Sequence, residues 1–254
     1  MKKISIRDLD FNKLTYKDYY NEESDIYIGN NKLYKLFKSF DYEELENKEK
    51  KIEILNNKNL DKSIIIPDII ITQNDCFRGC GMDYIDNTRQ LFSYKKHYND
   101  LNNFMKIVNF VSNVLENSIH KNNIVVCDLS FSNIIIDEEL NPYFIDFDSC
   151  SVDNIKTQVI ASLLSYYYKY RKVTIDINQN MDRLSLILNT LYIIFRKKIE
   201  NISLYEYDEL KEQIYFLEEL KELFLELKKQ ERFIPDVPYI SEFIKKEEKY
   251  KFKS

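Results

Sequence analysis

The sequence predicts an α+β fold in two lobes: a small antiparallel sheet with one helix, followed by a larger, mainly helical part. Three observations predict it. The first third carries short apolar runs separated by turn residues, which is how strands read. From Leu101 onward the apolar residues recur at helical spacing. The chain has 254 residues, 44% of them hydrophobic, enough for a sizeable core and a two-lobed arrangement. No change of composition marks a linker. The boundary is expected between Tyr84 and Arg89, dividing residues 1–84 from 85–254.

The elements follow in order. Asp25 to Ile28 and Lys32 to Phe37 flank Gly29-Asn30-Asn31, residues that tolerate a positive φ, so a hairpin is expected. Tyr42 to Asn56 reads as a helix whose apolar face carries Leu45, Ile52 and Leu55. Ile64 to Ile66 and Ile69 to Thr72 read as two strands parted by Pro67, and Gly79 to Asp86 as a strand leaving the lobe. Leu101, Phe104, Met105, Val108, Val111, Leu115 and Ile119 form one helical stripe. Met181 to Arg196 is so apolar that a buried helix is expected. Tyr205 to Lys229 reads as one amphipathic helix. Pro235 and Pro238 precede a short last helix from Ser241.

Composition excludes several function classes. Net charge is −5, with 31% charged residues of both signs, which describes a mildly acidic surface with no basic field for nucleic acid. Charged and amide residues interrupt every apolar run before membrane-spanning length, and Met1 to Asp8 lacks the apolar segment of a signal peptide. The expectation is a cytoplasmic protein with no membrane partner. Its four cysteines, Cys76, Cys80, Cys127 and Cys150, fit free thiols there. Cys76 and Cys80 have no partners at zinc spacing, and His97 and His120 stand alone. The basic tail, Lys245-Lys246 and Lys249 to Lys253, is interleaved with Glu247 and Glu248 and reads as a solvated helix end. The excess of Lys, Asn and Ile fits an A/T-rich bacterial or phage coding genome.

One constellation carries chemistry. The apolar run Val125-Val126-Cys127 ends in Asp128-Leu129, Asn133 follows five positions after Asp128, and Ile134-Ile135-Ile136 forms a second apolar run. After the turn at Asn141-Pro142, Phe144-Ile145 leads into Asp146-Phe147-Asp148. Asp and Asn favour turns, so a lone Asp-x4-Asn says little; the second aspartate across a strand–turn–strand spacer says more. The arrangement resembles the catalytic and metal-binding half of the protein-kinase-like superfamily, as an atypical bacterial member. The resemblance spans roughly Ile26 to Phe195 and is specific around residues 125–148.

The resemblance implies ATP and Mg²⁺ as cofactors and transfer of the γ-phosphate to a Ser/Thr hydroxyl of a protein. Asp128 would accept the proton of the attacking hydroxyl, and Asn133 and Asp146 would hold the metal. Leu33-Tyr34-Lys35 resembles the third-strand pattern, with Leu33 roofing the base and Lys35 holding phosphates. Glu49 is the expected partner of Lys35, with Glu53 one turn later as a rival. Met82 matches the gatekeeper, backbone groups of Asp83 and Ile85 would bond the adenine edge, and Ile135 would floor it. Asp182 matches the aspartate that braces the catalytic loop from below; alternatively it is a carboxylate favoured at a helix N-terminus.

The sequence also departs from the family. No Gly-x-Gly-x-x-Gly exists among its 3 glycines, and the phosphate-covering loop would fall near Asn21-Glu22-Glu23-Ser24. Carboxylates there oppose phosphate unless they point away. Val126-Cys127 replaces the His-Arg that receives a phosphorylated activation loop, Asp148 replaces the Gly after Asp-Phe, and no Ala-Pro-Glu follows. A second acid at 148 is compatible with metal binding, and constitutive activity is expected. Two alternatives share the motif: a small-molecule kinase of the aminoglycoside or choline type, and a pseudokinase that binds nucleotide or acts as a scaffold. The expected partners are ATP and a hydroxyl acceptor, either a protein or a small molecule.

Overall fold

A computed structural model describes residues 1–17, 23–94, 100–157, 159–211, 214–229 and 234–244. The fold is α+β. Strands β1 (Lys2–Ser5), β2 (Thr15–Lys17), β3 (Ser24–Gly29), β4 (Lys32–Phe37), β5 (Ile69–Gln73) and β6 (Cys76–Asp83) form a six-stranded sheet in the order β1-β5-β6-β4-β3-β2. The β3–β4 hairpin turns on Asn30 and Asn31, with φ of 55° and 58°. Two consecutive left-handed residues match the strand twist, and asparagine tolerates them. Gly29 serves a different need. A Cβ there would meet Leu14 Cδ2 at 2.6 Å and the Lys13 carbonyl at 3.0 Å, so it lets the preceding chain pass close by.

The sheet is mixed rather than antiparallel, because β1 runs parallel to β5. Lys2–Ser5 shows no alternation that would mark a strand, and its exposed first half suits an edge. Ile69-Ile70-Ile71 is buried on both faces and takes a neighbour on each side. Ile64 to Ile66 does not form a strand of this sheet. Ile64 makes a single bridge to Phe144, Ile65 N–H donates to the Phe144 carbonyl (2.9 Å), and Phe144 N–H donates to that of Ser63 (2.7 Å). The run is apolar because it crosses toward the second core, where Ile64 is buried.

Helix α1 spans Tyr42–Asn56 as expected, its first turn capped by Asp41, which accepts from the N–H groups of Glu43 and Glu44. It covers the sheet face that carries Leu33, Phe37, Cys80 and Met82, packing Leu45 and Ile52 there.

The remaining elements enclose the larger core. Helix α2 (Leu101–Val114) continues into a π-helical turn at Leu115–Ile119, and α4 (Gln179–Phe195) is buried almost throughout. Phe104, Val108, Val111, Leu115, Leu184, Ile187 and Leu191 belong to one hydrophobic cluster with Phe131, Ile134 and Phe144. Short pairings join β8 (Ile124–Val125) to β11 (Ser151–Val152), and β9 (Ile134–Ile136) to both β10 (Pro142–Phe144) and β7 (Arg89–Gln90). Helix α3 spans Ser162–Arg171.

The helix expected over 205–229 is two: α5 (Leu204–Lys211) and α6 (Tyr215–Lys228). The break lets Tyr207 stack on Phe224, ring centroids 3.9 Å apart, and donate its hydroxyl to the Leu217 carbonyl at 2.6 Å. The last described helix, α7, is Ile240–Ile244. The basic tail and His97 lie outside the described residues. Among the described residues no helix is long and apolar enough to cross a membrane.

Candidate active site

The loop between β8 and β9 is held from below by α4. Asp182, fully buried, accepts from Val126 N–H (2.7 Å) and Cys127 N–H (2.9 Å). His120 Nε2 lies 3.1 Å from the same carboxylate, and its Nδ1 lies 2.7 Å from the Tyr239 hydroxyl. Ser185 donates to the Leu129 carbonyl at 2.6 Å, and Asn189 accepts from Phe131 N–H at 3.4 Å. Positions 182, 185 and 189 share one helix face. Asp182 thus holds this loop from the first turn of α4, and Ser185 and Asn189 add contacts that the resemblance does not imply. Their signal was available: polar residues at helical spacing on an otherwise apolar helix need buried partners.

The braced loop folds tightly around its catalytic candidates. Cys127 takes a left-handed φ of 65°, and Asp128 N–H donates to the Val126 carbonyl at 2.7 Å. Asn133 Nδ2 donates to the Asp128 carboxylate (2.9 Å) and carbonyl (3.1 Å), which fixes both residues in one orientation. Burial raises the Asp128 carboxyl above the ordinary range; the Asn133 hydrogen bond opposes this and the Glu23 charge adds to it. Ile145 N–H donates to the Asn133 carbonyl at 3.0 Å, which sets Asp146 beside this loop. Asp146 itself is left-handed, φ 67°, a conformation that costs roughly 1 kcal/mol and that Asp tolerates best among charged residues.

Lys35 reaches this loop from the sheet. It is 3% exposed, and its Nζ lies 2.6 Å from Asp146 and 3.1 Å from both oxygens of Asp148. Burial opposes its charge, but the Asp148 and Asp146 carboxylates outweigh that and hold the ammonium above its usual range. The two acids divide. Burial and the neighbouring Asp148 push Asp146 up; burial also disfavours the Asp148 charge, but Lys35 and Lys48 pull its carboxyl down. The Asp146 side chain is 34% exposed and that of Asp148 only 1%. Asp146 is therefore the acid open to solvent, on the segment that Ile145 N–H ties to the Asn133 carbonyl, and the oxygens of Asp146 and Asn133 are of the hard type that suits magnesium. Among the described residues no three His, Cys, Asp or Glu side chains converge on a metal position. An ion here would draw its remaining ligands from water or a bound molecule.

The expected partner of Lys35 is corrected. Glu49 pairs with Lys3 at 3.3 Å, and Glu53 is exposed. The inward stripe of α1 is Leu45, Lys48, Lys51, Ile52 and Leu55. Glu49 and Glu53 sit one position round from it. Asp148 supplies the carboxylate instead, from the third position of Asp-Phe-Asp, where a metal role had been compatible. Its oxygens are taken by lysines. Position 48 was readable, being three after Leu45 and four before Ile52.

The expected base-binding residues lie along the sheet and β9. Leu33 pairs with Met82 across β4 and β6; Met82 is buried and Leu33 half-buried. The Asp83 side chain pairs with Lys32 at 2.9 Å, Tyr84 N–H donates to the Asn31 carbonyl, and the Ile85 carbonyl accepts from Thr88. Ile135 is half-buried in β9, opposite Tyr143 and Gln90. Of the expected phosphate-covering loop, Asn21 and Glu22 lie outside the described residues, Ser24 opens β3, and Glu23 points inward to pair with Lys48. A cavity of about 460 Å³, lined by Asp61, Ser63, Phe110 and Leu140, contains none of the expected site residues. No protein-family model matches the chain, and no curated protein matches it.

Proposed function

We propose that the chain is an ATP-dependent phosphotransferase of the protein-kinase-like class, transferring the γ-phosphate to a Ser/Thr hydroxyl of a protein. The observation that carries this reading is the ion pair between Lys35 and Asp146, 111 residues apart in sequence, beside a loop in which Asn133 fixes Asp128. Phosphoryl transfer needs positioned phosphates, a metal and a proton acceptor rather than covalent chemistry. Lys35 is the phosphate ligand, Asp146 and Asn133 hold Mg²⁺, and Asp128 orients the hydroxyl and takes its proton. In this reading residues 1–84 and 85–254 are the two lobes of a kinase-like fold. ATP lies between them, its base bonded by Asp83 and Ile85 backbone groups and sandwiched by Leu33 and Ile135, with Met82 behind. The protein works in the cytoplasm.

Cys127 in the place of the arginine, and the missing Ala-Pro-Glu, favour a small-molecule acceptor as the second reading. Equilibrium dialysis of ATP with and without Mg²⁺ tests the nucleotide site. Wild type is expected to bind ATP more tightly with Mg²⁺, and Asp146→Ala to lose that dependence. ATP affinity indifferent to Mg²⁺ in wild type contradicts the metal assignment.

A further inference from the structure

The helix that packs over Lys35 brings it no carboxylate. It brings two buried lysines, Lys48 and Lys51, and Lys48 is the one paired to the same acid as Lys35. Lys48 is buried, and its Nζ lies 3.5 Å from Asp148 Oδ2, the same oxygen that Lys35 approaches to 3.1 Å. Both ammonium groups also sit over one buried ring, Phe37, at 5.3 Å for Lys35 and 4.9 Å for Lys48. One carboxylate thus serves two cations. Among the described residues Lys48 also pairs with Glu44 on its own helix, at 3.9 Å, and with Glu23 just before β3. Glu23 keeps 37% of its side chain exposed and makes the closest contact to Lys48.

This arrangement answers a deficit. No glycine occurs between Met1 and Ile28, so the chain before β3 lacks the freedom that brings backbone amides onto phosphate. A phosphate oxygen has the charge and acceptor chemistry of a carboxylate oxygen, and lysine is a point-charge phosphate binder. We infer that Lys48 is a second phosphate-binding lysine, held beside Lys35 on Asp148, and that the Glu23 carboxylate occupies its phosphate position until a nucleoside triphosphate displaces it. The inference rests on the nucleotide-binding reading above. It assigns the site a phosphate contact from side chains where the sequence lacks one from glycines. Burial opposes the Lys48 charge, but Asp148 and Glu23 keep the ammonium above its usual range, so the group stays a cation at neutral pH.

Titration of adenosine, AMP, ADP and ATP into wild type, Lys48→Met, Lys48→Arg, Glu23→Gln and Lys35→Met tests it. Lys48→Met should weaken ATP binding by about tenfold or more, the loss of a charge-assisted contact, while adenosine affinity is unchanged. Lys48→Arg should restore much of the loss. Glu23→Gln should tighten ATP several-fold and leave adenosine unaffected. Because Glu23 is partly exposed, that variant decides the matter even if Lys48→Met proves unstable by circular dichroism. ATP affinity unchanged in Glu23→Gln, or in a folded Lys48→Met, overturns the inference, and does so alone if Lys35→Met still loses ATP. Wild type that binds no ATP overturns both this inference and the reading it rests on.

Discussion

At the scale of single residues, the site is an exchange of buried charges whose partners are named by geometry. Asp182 is the most committed of them: two backbone N–H groups and His120 converge on a fully buried carboxylate. Asp182→Ala leaves the two N–H donors unpaired, at roughly 1–3 kcal/mol each. Urea unfolding should therefore show a loss of about 2–6 kcal/mol, against under 1 kcal/mol if water replaces the carboxylate. The thiols give a second residue-level prediction. Burial pushes Cys127 up to about 11 and Cys150 up to about 12, and raises Cys80 further, whereas Cys76 is exposed. A thiol reagent at pH 8 should modify one cysteine quickly in the native protein and all four after denaturation. Fast reaction of a second native thiol would mean that the loop around Cys127 or the strand β6 opens readily.

At the scale of elements, the legible parts of the sequence were those with a strong period or a specific turn. Helix α1, the stripe of α2, the buried α4 and the Asn30-Asn31 hairpin follow from spacing and from residues that accept a positive φ. The motif loop was legible because Asp128, Asn133 and Asp146 are polar interruptions between apolar strands. The misses share a cause: tertiary partners that leave no local pattern. Strand β1 pairs with a strand more than sixty residues away, the α5–α6 break serves an aromatic stack, and Ile64–Ile66 is apolar without being a strand. Lys35 finds Asp148 rather than a glutamate of α1 because the inward face of that helix carries lysines, not acids. Gly79 shows how closely the elements fit: a Cβ there would sit 2.3 Å from the Lys35 carbonyl. Gly79→Ala should cost roughly 1–3 kcal/mol and, by displacing β4, weaken ATP binding as well. Thermal melts and ATP titration of that variant check both effects.

At the scale of the whole molecule, two hydrophobic clusters flank the sheet and a third, larger one fills the helical part. The ion network of Lys35, Lys48, Asp146, Asp148 and Glu23 joins the sheet and α1 to the loops of the larger core. A ligand that engages this network couples both parts. Mg²⁺ and ATP at 100 times the dissociation constant should stabilise the fold by about 2.7 kcal/mol, seen as a rise in melting temperature that adenosine at the same concentration does not match. Equal shifts with adenosine and with ATP would place the binding energy outside the network. In the proposed reading Asp128 serves phosphoryl transfer at this junction, and turnover of ATP with Mg²⁺ by wild type and Asp128→Ala is the deciding measurement. Wild type should turn over ATP measurably, the variant should be slower by about 10²–10⁴-fold, and ATP affinity should be unchanged by the substitution. Wild type that binds ATP without turning it over with any acceptor, or Asp128→Ala that turns it over at the wild-type rate, would contradict it.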